Sequence, residues 1–213
     1  MVAGSSKVNA RSVRTRTALI DAGLLLFAER PIDAVPVDDI VFEAGVAKGS
    51  FFNHFEDKQA FANAIATEIR RDIEARVTEA NRGLDDPLVR LTGGMVVAVE
   101  FALSERKRAM VMLRGMSWSP SRNHPLNAGL RHDMTACVLA GHLNEEAART
   151  GLPFWLGACQ MLMMTILAEN SSRQEAAEHM RDTLIMALLG MGVDLAQAHE
   201  LGRRQTALLT SES

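Results

Sequence analysis

Residues 38–58, DDIVFEAGVAKGSFFNHFEDK, decide how the N-terminal part of this chain folds. Asp38 and Asp39 stand where a helix N-terminus favours negative charge, and Val37, Ile40, Val41 and Ala44 recur at spacings of three and four. A short helix with one apolar face is therefore expected from Asp38 to Ala44. Gly45 most cheaply takes the positive φ of a sharp turn, and Val46 is placed to plug the corner. A second helix is predicted from near Lys48. Phe51 and Phe55, four residues apart, share its inward face, whereas Lys48, Ser50, Asn53 and His54 mostly fall off that stripe and face out. The pattern is a helix-turn-helix, whose second helix enters a DNA major groove by its N-terminal end. There a small residue such as Gly49 lets backbone approach bases or phosphates. An ordinary helical corner joined through glycine has the same outline, with Lys48 and Asn53 as solvated groups.

The rest of the chain reads as helix almost throughout. With 213 residues, 47% of them hydrophobic, it can bury a core as one large or two modest domains. Leu19, Ala22, Gly23, Leu26 and Phe27 make one face of a first helix, in which Gly23 costs up to about 1 kcal/mol against alanine unless close packing requires it. Phe61, Ile65, Ile69, Ile73 and Val77 predict a long helix from about Asp57 to Ala80. Asp85 or Asp86 should cap the next helix, with Pro87 just inside it, running to about Ser104. Further helices are predicted over 106–118, 126–149, 154–170 and 173–191. A break is expected at Gly151-Leu152-Pro153, and a short helical or frayed end after 191.

Charge distribution qualifies the DNA reading. The net charge is -3, and residues 1–58 carry seven bases against eight acids, so a positive surface has to come from arrangement. Lys7, Arg11, Arg14 and Arg16 precede Ile20 without an acid among them, which reads either as a phosphate-seeking arm or as a solvated tail. Cys137 and Cys159 lie in apolar surroundings without C-x-x-C spacing and are expected to be buried free thiols. The apolar stretches near 154–168 and 184–193 are too short and interrupted for a membrane span of about 20 residues, and no signal segment is visible, so a soluble cytoplasmic protein is expected, with no membrane partner.

From about Arg14 to Ile65 the chain resembles the DNA-binding head of the tetracycline-repressor (TetR) family. The resemblance rests on Leu26-Phe27, Asp39-Ile40, Ala44-Gly45-Val46-Ala47, Lys48-Gly49-Ser50, Phe51-Phe52-Asn53-His54-Phe55 and Lys58, in that order and spacing. It implies that Lys48, Gly49, Ser50 and Asn53 face bases and that His54 and Lys58 hold phosphates; Arg14 and Arg16, from the basic stretch, are candidate DNA contacts on charge. Three departures stand out. Phe52 replaces a tyrosine whose hydroxyl reaches a phosphate, leaving only packing against sugar. Ala47 replaces a capping serine, a loss of about 1 kcal/mol. Pro36 and Val37 begin the preceding helix in place of serine or threonine, so backbone amides there would meet a phosphate. The implied architecture is all-α. An N-terminal three-helix helix-turn-helix domain over 1–58 is joined by the long helix to a helical ligand-binding and dimerisation domain over 59–213.

That second domain should pair with a copy of itself through its last two long helices, which the resemblance makes a four-helix bundle. Trp155, Ala158, Cys159, Leu162, Met163 and Ile166 on one helix, and Met180, Leu184, Ala187, Leu188 and Met191 on the other, are the candidate seam. Such stripes equally describe an intramolecular core. An adaptable apolar chamber for a small-molecule effector is expected around Phe101, Met110, Met116, Trp118, Met134 and Trp155. Glu100, flanked by Val96, Val97 and Leu103, must pair with a cation such as Arg114 or bind a ligand, and Gln160 poses the same question.

The rival class is a helical-bundle ligand-binding or metal protein, or an enzyme, without DNA binding. Glu175/His179 and His142/Glu146 sit four residues apart, but E-x-x-H is absent, and each pair is read as a surface ion pair. Phosphate-cradling glycine loops and nucleophile motifs are also missing. The expectation is a DNA-binding transcriptional regulator rather than an enzyme, a homodimeric repressor on a palindromic double-stranded operator, with no cofactor and no metal.

Overall fold

A computed structural model describes residues 3–114 and 124–211, with side chains from Ala10 onward. Among these residues the chain is all-helical, without strands. The helices are α1 Ala3–Glu29, α2 Val37–Glu43, α3 Lys48–Phe52, α4 Lys58–Ala80, α5 Pro87–Ser104, α6 Arg106–Arg114, α7 Ala128–Leu139, α8 Leu152–Ala168, α9 Arg173–Gly190 and α10 Leu195–Ser211. They fall into two compact units, residues 1–69 with 110–117 and residues 70–109 with 118–213. The division lies inside α4 rather than at residue 58, because the first turns of α4 belong to the core of the first unit.

Four phenylalanines build that core. Phe61 of α4 meets Phe27 at 5.8 Å, Phe51 at 5.2 Å and Phe55 at 4.8 Å between ring centroids, mostly edge to face. Contacts of this kind add about 0.5–1.5 kcal/mol each beyond their burial. Gly23 is the close-packing glycine its position suggested. A Cβ there would lie 2.5 Å from Phe61 Cζ and 2.6 Å from Ile65 Cδ1, so only a bare backbone lets α1 lie against α4. Ile40 and Val41 of α2 are buried, and Gly45 turns the chain into α3 with φ 64°. Arg114 donates to the carbonyls of Ala28 at 2.8 Å and Phe27 at 3.2 Å, satisfying acceptors that the end of α1 leaves open. Arg30 and Asp39, 3.0 Å apart, fasten α1 to α2. The basic N-terminal stretch forms the first turns of α1 rather than a loose arm.

In the second unit α5 is central, packing on α7, α8, α9 and α10. Asp86 caps it as expected, accepting from Leu88 N at 2.8 Å, with Pro87 in the first turn. Being surrounded explains why α5 is apolar on most sides. By length and composition α5 and the segment Ala147–Ala168 would suffice to cross a bilayer, contrary to the sequence expectation, yet about half of each is buried inside the fold.

The helix expected over 126–149 is instead three pieces. A 3-10 turn at Pro125–Asn127 leads into α7, which stops before Gly141 at φ 75°. Asn144 Oδ1 then accepts from Ala147 N at 2.9 Å and opens a π-helical turn, Ala147–Gly151, that runs straight into α8. The break expected at 151–153 is absent: the helix continues through Pro153, which follows directly on the widened π turn, the kind of local rearrangement that accommodates a missing N–H. Ser172 and Glu175 form a capping box at the start of α9. The tail expected to be short or frayed is a 17-residue helix, α10, which buries Ala198, Leu201, Gln205 and Leu209. Both cysteines have their thiols pushed up to about 12, Cys137 by burial and then by the Asp133 charge, Cys159 by burial.

Candidate functional site

The helix-turn-helix presents one outward face. Ala47, Lys48, Gly49, Phe52 and Asn53 are exposed, while Val37, Ser50, His54 and Lys58 are half-buried around them. Phe51 anchors α3 from beneath, fully buried, with its ring 5.3 Å from that of Phe52. Phe52 itself remains 53% exposed. Ala47 caps α3 without a side-chain hydrogen bond, and a Cβ at Gly49 would meet nothing within 4 Å. The backbone at Gly49 is therefore open to a large partner.

The cations are less free than the sequence suggested. Lys48 Nζ lies 2.8 Å from Asp38 Oδ1, an exposed pair worth little in water and readily exchanged for a phosphate. Lys58 donates to the carbonyls of Asp33 at 3.0 Å and Val35 at 3.1 Å, so it also holds the loop before α2. Arg16 pairs with Glu68 and stacks over the Phe55 ring at 5.5 Å. Arg14 is exposed and has no ion-pair partner among the described residues.

A partly open cavity of about 470 Å³ lies in the second unit, between the end of α4, α5 and α10. Of the six described residues expected to line an effector chamber, Glu100 and Phe101 border this cavity. Met134 borders a separate space of about 150 Å³, Trp155 is buried in the core, and Met110 and Gln160 are half-buried elsewhere. Met116 and Trp118 lie outside the described residues. Glu100 is held by Arg173 rather than Arg114, with Nη1–Oε2 at 2.6 Å and Nη2–Oε1 at 2.9 Å. Beside it, Arg76 and Arg108 pack over the buried Phe101 ring at 5.3 and 5.5 Å and interlock with Asp72 and Glu105. Burial alone would raise the Asp72 and Glu105 carboxyls. Hydrogen bonds from the two arginines and their charges outweigh it and hold both below their ordinary values.

The sequence reading missed the polar lining. Asn81, just past α4, and Gln205, on α10, are buried amides in the cavity wall, and Gly93 of α5 borders the same space. The signal was present at Gln205, which interrupts the stripe Ala198, Leu201, Gln205, Leu209 at spacings of three, four and four. The described residues contain no group of three or more side chains able to hold a metal. His179 pairs with Glu169 at 3.1 Å rather than with Glu175, which is taken by the capping box.

On α8 and α9 most of the predicted seam is core, with Ala158 and Cys159 half-buried. Trp155, Leu162, Met163, Ile166, Met180, Leu184, Leu188 and Met191 are all buried within the chain. Other apolar residues are exposed instead, Phe154, Met161 (60%) and Met164 on α8 and Met186 (74%) and Leu189 on α9. A Cβ at Gly190 would lie 3.9 Å from Phe154 Cζ, which sets the start of α8 beside the end of α9.

An exposed second helix over a phenylalanine core is the arrangement of a helix-turn-helix head. Residues 19–65 match the family described as Bacterial regulatory proteins, tetR family. The chain is 36% identical over 75 residues to the HTH-type transcriptional repressor DhaR of Mycobacterium sp. (strain GP1), covering 35% of this chain and 38% of that one. It is 31% identical over 106 residues to the repressor BepR of Brucella suis biovar 1 (strain 1330), covering 49% and 51%. The matches thus span about a third to a half of these relatives' length. In fold, the chain is similar to the crystal structure of RolR in complex with resorcinol, at TM-score 0.68 and 22% identity, covering 92% of this chain and 96% of that one.

Proposed function

We propose that the protein is a one-component transcriptional repressor, homodimeric on an approximately palindromic operator and released by a small, largely apolar ligand. The observation that carries this reading is the outward face of α3, where Lys48, Gly49 and Asn53 are exposed over a buried Phe51. The named repressors that match part of the chain support it. Dimerisation is supported by the exposed Phe154, Met161, Met164, Met186 and Leu189, an apolar surface that a monomer rarely leaves open. Ligand response is supported by the cavity, whose volume suits a small organic molecule. Release requires that the ligand bind the two states of the dimer with different affinity, since tight binding to both shifts nothing. A protein of this kind works in the cytoplasm, where its DNA is.

Salt-dependent gel shifts on the DNA flanking the protein's own gene test the reading. Lys48→Ala is expected to weaken binding to the operator more than to unrelated DNA. Arg14→Ala should weaken both alike and reduce the log K against log salt slope by about one. Lys58→Ala is a poorer probe, because it also frees the Asp33 and Val35 carbonyls. A folded dimer that shifts no DNA at low salt would refute the proposal.

A further inference from the structure

Asn81 and Gln205, 6% and 1% exposed, each leave a carbonyl oxygen with no hydrogen-bond donor, Asn81 Oδ1 and Gln205 Oε1. Their neighbours fix which end of each amide is the orphan. Asn81 Nδ2 donates to the Arg90 carbonyl at 3.1 Å, and a carbonyl only accepts, so the amide cannot be turned round. Gln205 Nε2 donates to Thr92 Oγ1 at 2.7 Å, and that hydroxyl spends its own proton on the Val89 carbonyl at 3.0 Å. Both orphans are therefore acceptors, and both residues line the same cavity. Gly93 adds an independent sign. It sits within α5, where glycine is a poor helix former, and a Cβ there would lie 3.1 Å from Asn81 Oδ1. The missing side chain leaves room beside that oxygen, which is otherwise covered.

Charge narrows the ligand further. Glu100 is taken by Arg173, and Arg76 by Asp72 and Glu105, whereas Arg204, exposed at the cavity, has no carboxylate partner among the described residues. A lining with a surplus positive charge disfavours an ammonium, so the donors have to come from a neutral group. We propose that this cavity selects a neutral, largely apolar ligand bearing hydroxyl groups that donate to Asn81 Oδ1 and Gln205 Oε1. The proposal rests on the ligand-responsive reading above and names the chemistry its effector must have. Hydroxyls that meet buried acceptors are discriminated strongly from their capped analogues, because an ether buries the acceptor and leaves it unpaired.

The test is calorimetric, on the full-length protein without DNA, using the 1,5-, 2,6- and 2,7-dihydroxynaphthalenes and their dimethyl ethers. At least one diol is expected to bind roughly tenfold or more tightly than its ether. Asn81→Leu and Gln205→Met, checked for folding by thermal unfolding, should shrink that preference while leaving ether binding in place. Gly93→Ala should weaken the same diol. Equal or tighter binding of the ethers, or no binding of any diol at about 1 mM, overturns the proposal. So does a diol preference that survives both amide substitutions. Because DNA takes no part, such a failure leaves the operator experiment standing, and loss of the operator shift alone leaves this one standing.

Discussion

At the scale of single residues, Ala47 shows how one missing oxygen redistributes work. It caps α3 with φ -71° and ψ 147°, the extended geometry from which a serine hydroxyl reaches an amide of the first turn, but it brings no acceptor. Ala47→Ser is expected to stabilise the protein by about 1 kcal/mol in urea denaturation, and an unchanged midpoint would show that the cap was not missed. Lys48 and Lys58, equivalent as charges in the sequence, separate once placed. One forms an exposed exchangeable pair and the other braces backbone carbonyls. The family resemblance implied that both face DNA, but only the loop before α2 could show what Lys58 holds.

At the scale of elements, α4 carries charges that answer acid differently, one set tied to Glu105 and to Arg108 of α6. Asp72 and Glu105 are held below their ordinary 3.8 and 4.5, so they contribute stability that is full above those values and is lost as pH falls through their folded values. Glu74 goes the other way. Burial pushes it above 4.5 despite Arg70, so its contribution is present below 4.5 and is lost as pH rises through its folded value. Denaturant midpoints measured across acid to neutral pH should show Asp72→Asn below wild type at neutral pH, with the gap closing in acid. Glu74→Gln should gain on wild type as pH rises above 4.5; parallel curves for all three proteins would contradict both assignments. The elements were legible where one signal dominated, as with Gly45, the Asp86-Pro87 start and the four-residue repeat of α4. They were misread where two signals competed. Gly141 and Asn144 end and restart a helix inside an apolar run, and Gln205 masks the buried stripe of α10. The cavity was partly legible, since Glu100 and Phe101 line it, but the methionine load of the sequence fills core around Met95, Met163 and Met180.

At the scale of the whole molecule, the sequence showed that α8 and α9 carry apolar faces but not which face turns outward. An α-helix apolar on several sides can offer one to its own core and another to a partner, and periodicity alone does not rank them. Met186→Asp, on the exposed face, is expected to shift the sedimentation profile from dimer to monomer and to weaken operator binding, with helix content unchanged. A dimer that persists would move the pairing surface elsewhere. The two raised thiols carry a practical consequence. At neutral pH neither Cys137 nor Cys159 holds an appreciable thiolate, the form that alkylating dyes attack. A cysteine introduced on the surface away from that face, for instance Ala75→Cys at an exposed position of α4, would then be the fastest-labelled site in an otherwise unaltered chain. The wild-type protein is in that sense already a background for fluorescence or spin-label distance measurements.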